Sequence, residues 1–352
     1  MVMENRIEWI DMTKGLGMIL VIAGHTFALG YSAPIYSFHM PLFFFLSGLV
    51  YNEAKYNSFG KLTKAKALQL MKPWLVFYLV SLCVSLIIPV WREQLSVKQM
   101  LIELYTANSN TINNSSIWYC ICLFVMFVLL YPALAVLNLL KPATRIIAIV
   151  IVGLLLLWLK EVLNIISPEY VRLIDNRLPF KMDSAAVALV FFLIGYYYKG
   201  LIHRLVSHTN WKMFFLAVVL FVVGFFVNRW SNINSMDFGR IKLLYYPIAF
   251  IGIYCCTSFC MLLSNKQSSI AGKVKSLLMY YGVNSLLIFG FQSLFIRLYI
   301  QYFNSTFGMS MELYGMNPII HQIGSFLVVA VVTSPLIVWM FGYLRGKGIN
   351  LI

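Results

Sequence analysis

The sequence predicts an all-α, polytopic membrane protein with about ten transmembrane helices and both termini cytoplasmic. Three observations predict it. Of 352 residues, 61% are hydrophobic and 11% charged, where a soluble domain carries about 25% charged residues. Apolar runs long enough to span recur along the whole chain, at a mean hydropathy of +0.82. The lysines and arginines collect in alternate loops. A soluble fold is excluded on these grounds.

The apolar runs fall at roughly 12–31, 36–51, 73–90, 117–138, 144–160, 184–199, 212–228, 244–263, 281–301 and 322–343. Several lie at the short end of the usual spanning range of about 17–25 residues. With the N-terminus in the cytoplasm, the inner segments hold 17 lysines and arginines and the outer segments 9. Short inner loops then follow the positive-inside rule. The net charge of +15 is therefore mostly a topology signal and does not call for nucleic acid as a partner. A re-entrant 36–51 would put the Lys55–Lys72 cluster outside, so the run reads as spanning. The first run opens on Asp11 and Lys14 and lacks a small-x-small cleavage site, so it reads as a helix and not a cleavable signal. The six cysteines all fall in apolar runs and read as small buried hydrophobes. Residues 1–352 read as one integral-membrane domain, with no internal repeat and no Walker-type phosphate loop.

Chemistry concentrates in Asp11–Tyr51, which joins two apolar runs through a turn at Pro34. Lys14 and His25 are eleven residues apart, which places them on one helix face about 16 Å apart. A histidine within a span is costly and faces a cavity or a partner. A neutral imidazole there can take a proton from a hydroxyl or be transiently acylated. His39, at the mouth of the second run, falls in the same outer half and can approach His25 across the hairpin. Lys14, with Lys55, Lys61, Lys64, Lys66 and Lys72 in the next inner loop, suits a polyanion; the same lysines also suit positive-inside anchoring to anionic lipid. Trp118 opens the 117–138 run. Asn284 and Ser285 open the 281–301 run, which carries Gln292 and Arg297 deeper in. No carboxylate stands mid-span, which weighs against a proton-relay pump. HExxH, Cys/His ligand sets and GxSxG are lacking, so metal hydrolysis and a serine hydrolase are poorly supported.

The segment IDMTKGLGMILVIAGH followed by FHMPLFFFLSG resembles the N-terminal signature of the integral-membrane acyltransferase 3 family, and within it the branch described as fucose 4-O-acetylase-like. SSIWYCICLF and YYGVNSLLIF resemble two later segments of that family. The resemblance implies an O-acetyltransferase of the cytoplasmic membrane. It would move an acetyl group from cytosolic acetyl-CoA to a hydroxyl of a cell-surface polysaccharide or its lipid-linked sugar precursor, without a metal. Under it His25 is the general base or acyl carrier and His39 its partner. Lys14, Lys64, Lys66 and Lys72 hold the CoA phosphates. Asn284, Ser285 or a backbone N–H stabilises the oxyanion, and Arg297 and Trp118 meet the glycan or glycolipid acceptor. Two positions depart from the family pattern: Lys14 stands where arginine is more usual, and Gln292 where many members have histidine. The competing class is a transporter or flippase for a lipid-linked sugar.

Overall fold

The computed structural model describes residues 7–166, 177–312, 315, 317–349 and 351–352. Arg6, and Arg172 in the charge-dense outer loop, lie outside them. The described chain is almost wholly helical. The helices used below are α1 (Glu8–Thr26), α2 (Leu29–Tyr36), α3 (His39–Leu49), α4 (Phe59–Ile87), α5 (Ser115–Leu137), α6 (Pro142–Leu156), α7 (Pro179–Tyr197), α8 (Trp211–Asn228), α9 (Lys242–Ser264), α10 (Ser269–Val283), α11 (Ser285–Phe307) and α12 (Ile319–Gly346). Short helices connect some of them.

Among the described residues, seven helices are long and apolar enough to cross a membrane: α4, α5, α7, α8, α9, α11 and α12. An eighth is formed if α6 and the following Leu159–Ile165, bent by 49° against it, count as one span. The chain is thus a multi-pass membrane protein. The N-terminal hairpin departs from two plain spans. Helix α1 has 19 residues and carries Glu8, Asp11 and Lys14 in its first two turns. The chain then turns extended at Phe27 and Ala28 and starts the separate α2. Helix α3 has only 11 residues, about 16 Å of rise, roughly half a hydrocarbon core. The run expected to open at 281 is likewise broken. Helix α10 ends at Val283, and the Asn284 side chain turns back to donate to the Tyr280 carbonyl at 2.8 Å before α11 begins.

In lipid, apolar surface gives helices no drive to associate, so close packing through small residues takes over. Two crossings show this. Gly15 of α1 meets Gly282 of α10: a Cβ on Gly282 would lie 1.9 Å from the Asp11 carbonyl oxygen, and one on Gly15 1.9 Å from that of Leu278. Gly48 of α3 meets Gly195 of α7: a Cβ on Gly48 would lie 2.1 Å from the Phe192 carbonyl oxygen. Backbone touches backbone at both places. Helix α1 is held between α9, α10 and α11, while α3 lies along α7. The short α3 therefore has its position fixed by protein and not by its own length.

Backbone groups freed inside the membrane region find partners. Helix α12 opens into a π segment over Val328–Thr333. There the Tyr281 hydroxyl donates to the Ala330 carbonyl, and Thr333 and Ser334 both donate to Val329. A second π segment, Ala67–Met71, interrupts α4 beside the cavity described next; such bulges gather at functional sites. Arg177 and Asp183, both buried, form a two-pronged ion pair with N–O distances of 2.6 and 2.9 Å. It pins the start of α7, where Phe180 and Lys181 both take left-handed backbone angles. Four of the six cysteines are buried, Cys83 is exposed, and none is paired.

Candidate functional site

The ends of α1, α3, α10 and α11 leave between them a cavity of about 690 Å³, large enough for a cofactor-sized ligand. Its charged wall residues are Asp11, Lys14, Lys55 and Lys199, three cations against one carboxylate. Lys14 holds Asp11 at 3.1 Å, one turn back on α1. Ser47, Asn52, Gln69 and Ser285 add uncharged polar groups. The cavity suits an anion with a long, partly polar tail.

Of the lysines expected to grip that anion, Lys14 lines the cavity and Lys64, Lys66 and Lys72 do not. Lys64 and Lys72 are exposed. Lys66 is buried behind the wall, donates to Gln69 at 3.0 Å and lies 4.2 Å above the Phe127 ring. Gln69 thus presents the cavity with a side chain that Lys66 orients. Lys55, from the same loop, does line it, and so does Lys199. Lys199 closes the 184–199 run, where its charge already had an explanation in the topology.

The cavity ends against Met18, Phe43, Tyr119 and Phe289. Tyr119 packs its ring at 6.2 Å from Phe43 and 5.2 Å from Phe289. His25 lies seven residues beyond Met18, about 10 Å further along the helix. Between them Val21 and Ile22 are fully buried. Lys14 and His25 share a helix but not a cavity, because packed side chains fill the stripe between them.

His25 and His39 are brought together, with Tyr36 between them. The Tyr36 ring stands edge-on to His25 at 6.2 Å and to His39 at 5.1 Å. Its hydroxyl donates to the Gly24 carbonyl at 2.9 Å. This ties α2 back onto α1 and fixes the angle at which α3 enters. His39 Nδ1 lies 2.8 Å from the Ile35 carbonyl oxygen. A carbonyl only accepts, so Nδ1 carries a proton and Nε2 of the neutral ring keeps its lone pair. Tyr36 was not among the sequence candidates; its signal was its place between two costly histidines.

On the side away from Lys14, His25 lines a second pocket of about 10 Å³, room for a single hydroxyl or water. Tyr299, Glu312, His321, Gln322 and Ser325 share it. His321, directly before the last apolar run, was also missed. Arg297 is within electrostatic reach of His25, and its Nη1 donates to Asn113 at 3.3 Å. Gln292 is buried and donates to Ser116 at 2.6 Å. Asn113 stands just before α5 and Ser116 in its first turn, so the two bonds tie the start of α5 to α11. Trp118 is buried at the head of α5, with Lys181 5.8 Å above its ring. It is Trp118's neighbour Tyr119 that reaches the large cavity. Ser285 lines that cavity, whereas the Asn284 amide is spent on capping α10.

No curated protein and no solved structure matches the chain. A family model described as an acyltransferase domain matches residues 7–342, a span that takes in every residue lining the two cavities. On that match the chain belongs to the acyltransferase 3 family.

Proposed function

We propose that this protein is an O-acetyltransferase of the cytoplasmic membrane, taking acetyl-CoA from the cytosol and esterifying a hydroxyl of a surface polysaccharide or its lipid-linked precursor. The observation that carries the reading is the position of His25, with the cationic cavity on one side of it and a hydroxyl-sized pocket on the other. Positive-inside counting puts the Lys14 end in the cytoplasm. The nucleotide phosphates would meet Lys14, Lys55 and Lys199, and the pantetheine arm would part Met18, Phe43, Tyr119 and Phe289 to bring the thioester to His25. The acceptor oxygen then bonds to the thioester carbon and the carbon–sulfur bond breaks. The hydroxyl proton passes through His25 to the departing thiolate, leaving an acetyl ester and CoA thiol. Tyr36 and His39 hold the imidazole in place, and Ser285 or a backbone N–H is available to the oxyanion on the donor side.

The test is the purified protein with radiolabelled acetyl-CoA and surface polysaccharide from a strain lacking the gene. Polysaccharide-dependent release of CoA is expected; movement of a lipid-linked sugar without CoA consumption would point to a flippase and overturn the reading. Within the same assay, Lys14→Ala is expected to raise KM for acetyl-CoA about tenfold, the worth of one charged hydrogen bond at a partly solvated site. KM for polysaccharide should not move, and Lys64→Ala should move neither. An unchanged acetyl-CoA KM in Lys14→Ala would remove the phosphate role.

A further inference from the structure

We infer that the small pocket beyond His25 is the subsite for the acceptor's reacting hydroxyl, with Ser325 and His321 as its ligands; the inference rests on the acyl-transfer reading above. The pocket touches His25 directly, which the large cavity does not. Its volume of about 10 Å³ admits one oxygen with its proton and no sugar ring. A single hydroxyl of a larger molecule can therefore insert while the rest of the acceptor stays outside.

The polar groups around it are built for that. Ser325 is 4% exposed, and its Oγ has no hydrogen-bond partner among the described residues. A buried hydroxyl without a partner costs about 1–3 kcal/mol, more easily borne where a ligand hydroxyl or a water completes it. His321 comes from the same helix, one turn earlier, and its ring is set edge-on against Phe303 at 5.0 Å. The walls are fixed by Gln322. Its Oε1 accepts from the Ala28 backbone N–H at 3.0 Å, and its Nε2 donates to the Asn317 carbonyl at 2.5 Å. One buried amide thus joins the segment just after His25 to the head of α12. Glu312 lines the pocket and is exposed, so one edge of the pocket lies at the protein surface.

In this arrangement the acceptor O–H is held between Ser325 and His321 and points its proton at His25. The bonds made and broken are those of the acyl transfer already written; Ser325 and His321 bind and orient, and take no part in the proton balance.

The experiment measures KM for both substrates in the full-length protein, with radiolabelled acetyl-CoA and the unacetylated polysaccharide as probes. Ser325→Ala and His321→Ala are each expected to raise the polysaccharide KM about five- to tenfold. The acetyl-CoA KM should stay within twofold. Ser325→Val, which fills the pocket, should raise the polysaccharide KM further, with the thermal melt of each variant checked against wild type. A polysaccharide KM unchanged in both alanine variants of an active protein would overturn the subsite alone, leaving a structural water as the pocket's occupant. An equal rise in the acetyl-CoA KM would overturn it too. Absence of any CoA release by the wild type would overturn the acyl-transfer reading and the subsite with it.

Discussion

His25→Ala is expected to lower polysaccharide-dependent CoA release by about 10²–10⁴-fold, the usual worth of a positioned general base. The protein should remain folded, because removal of the His25 ring leaves Tyr36 bonded to Gly24 and α2 tied to α1. His25→Gln keeps most of the volume and a hydrogen-bonding head but supplies no base, so it should be as inactive as the alanine variant. His39→Ala should be milder. His39 is spaced from His25 by the Tyr36 ring and donates Nδ1 to a backbone carbonyl, so its loss loosens the hairpin without removing the base. Initial rates with labelled acetyl-CoA, measured beside a thermal melt, separate these outcomes. A His25→Gln variant retaining more than a tenth of wild-type rate would remove the general-base role.

The second large effect concerns the scaffold. Gly282→Leu and Gly48→Leu are expected to abolish recovery of folded protein, and Gly48→Ala to lower its thermal stability clearly. Overpacking in a core costs about 1–3 kcal/mol, more where nothing can give way. At Gly282 and Gly48 the obstructing atoms are carbonyl oxygens of a neighbouring helix, which cannot rotate aside as a side chain would. The whole helix must shift, and with it the cavity wall that Lys14, Gly282 and Ser285 share. Gly30→Ala and Gly60→Ala are the controls, since nothing lies within 4 Å of an added Cβ at either position. The readout is the fraction of monodisperse protein surviving a heating step in detergent. Gly48→Ala matching Gly30→Ala would show that the α3–α7 crossing is not a close backbone contact.

Much of the scaffold was legible because it follows from one-dimensional properties. Composition and run length gave the membrane class, and the apolar runs of α5, α7, α8, α9, α11 and α12 lie within a few residues of their helices, while α4 begins at Phe59, well before its run at 73–90. The hairpin was less legible. Its hydropathy is continuous enough to read as two spans, yet α3 is short because Phe38 and Val50 bound it and Gly48 lets α7 hold it from the side. The family signature and the two histidines were visible for a local reason: both lie within one contiguous stretch, where spacing carries geometry.

By itself, then, the sequence determined the all-helical membrane architecture, the family and the placement of His25 and His39 in one hairpin. Each depends on composition or on neighbours along the chain. Only the tertiary structure decided which lysines face the cavity, that packed side chains separate Lys14 from His25, and that Ser325 and His321 line one pocket with His25 from the far end of the chain. Those are contacts between distant helices, set by which backbones can touch at Gly15, Gly48, Gly195 and Gly282. A helical period fixes the face on which a residue stands, but not the neighbour that face will meet.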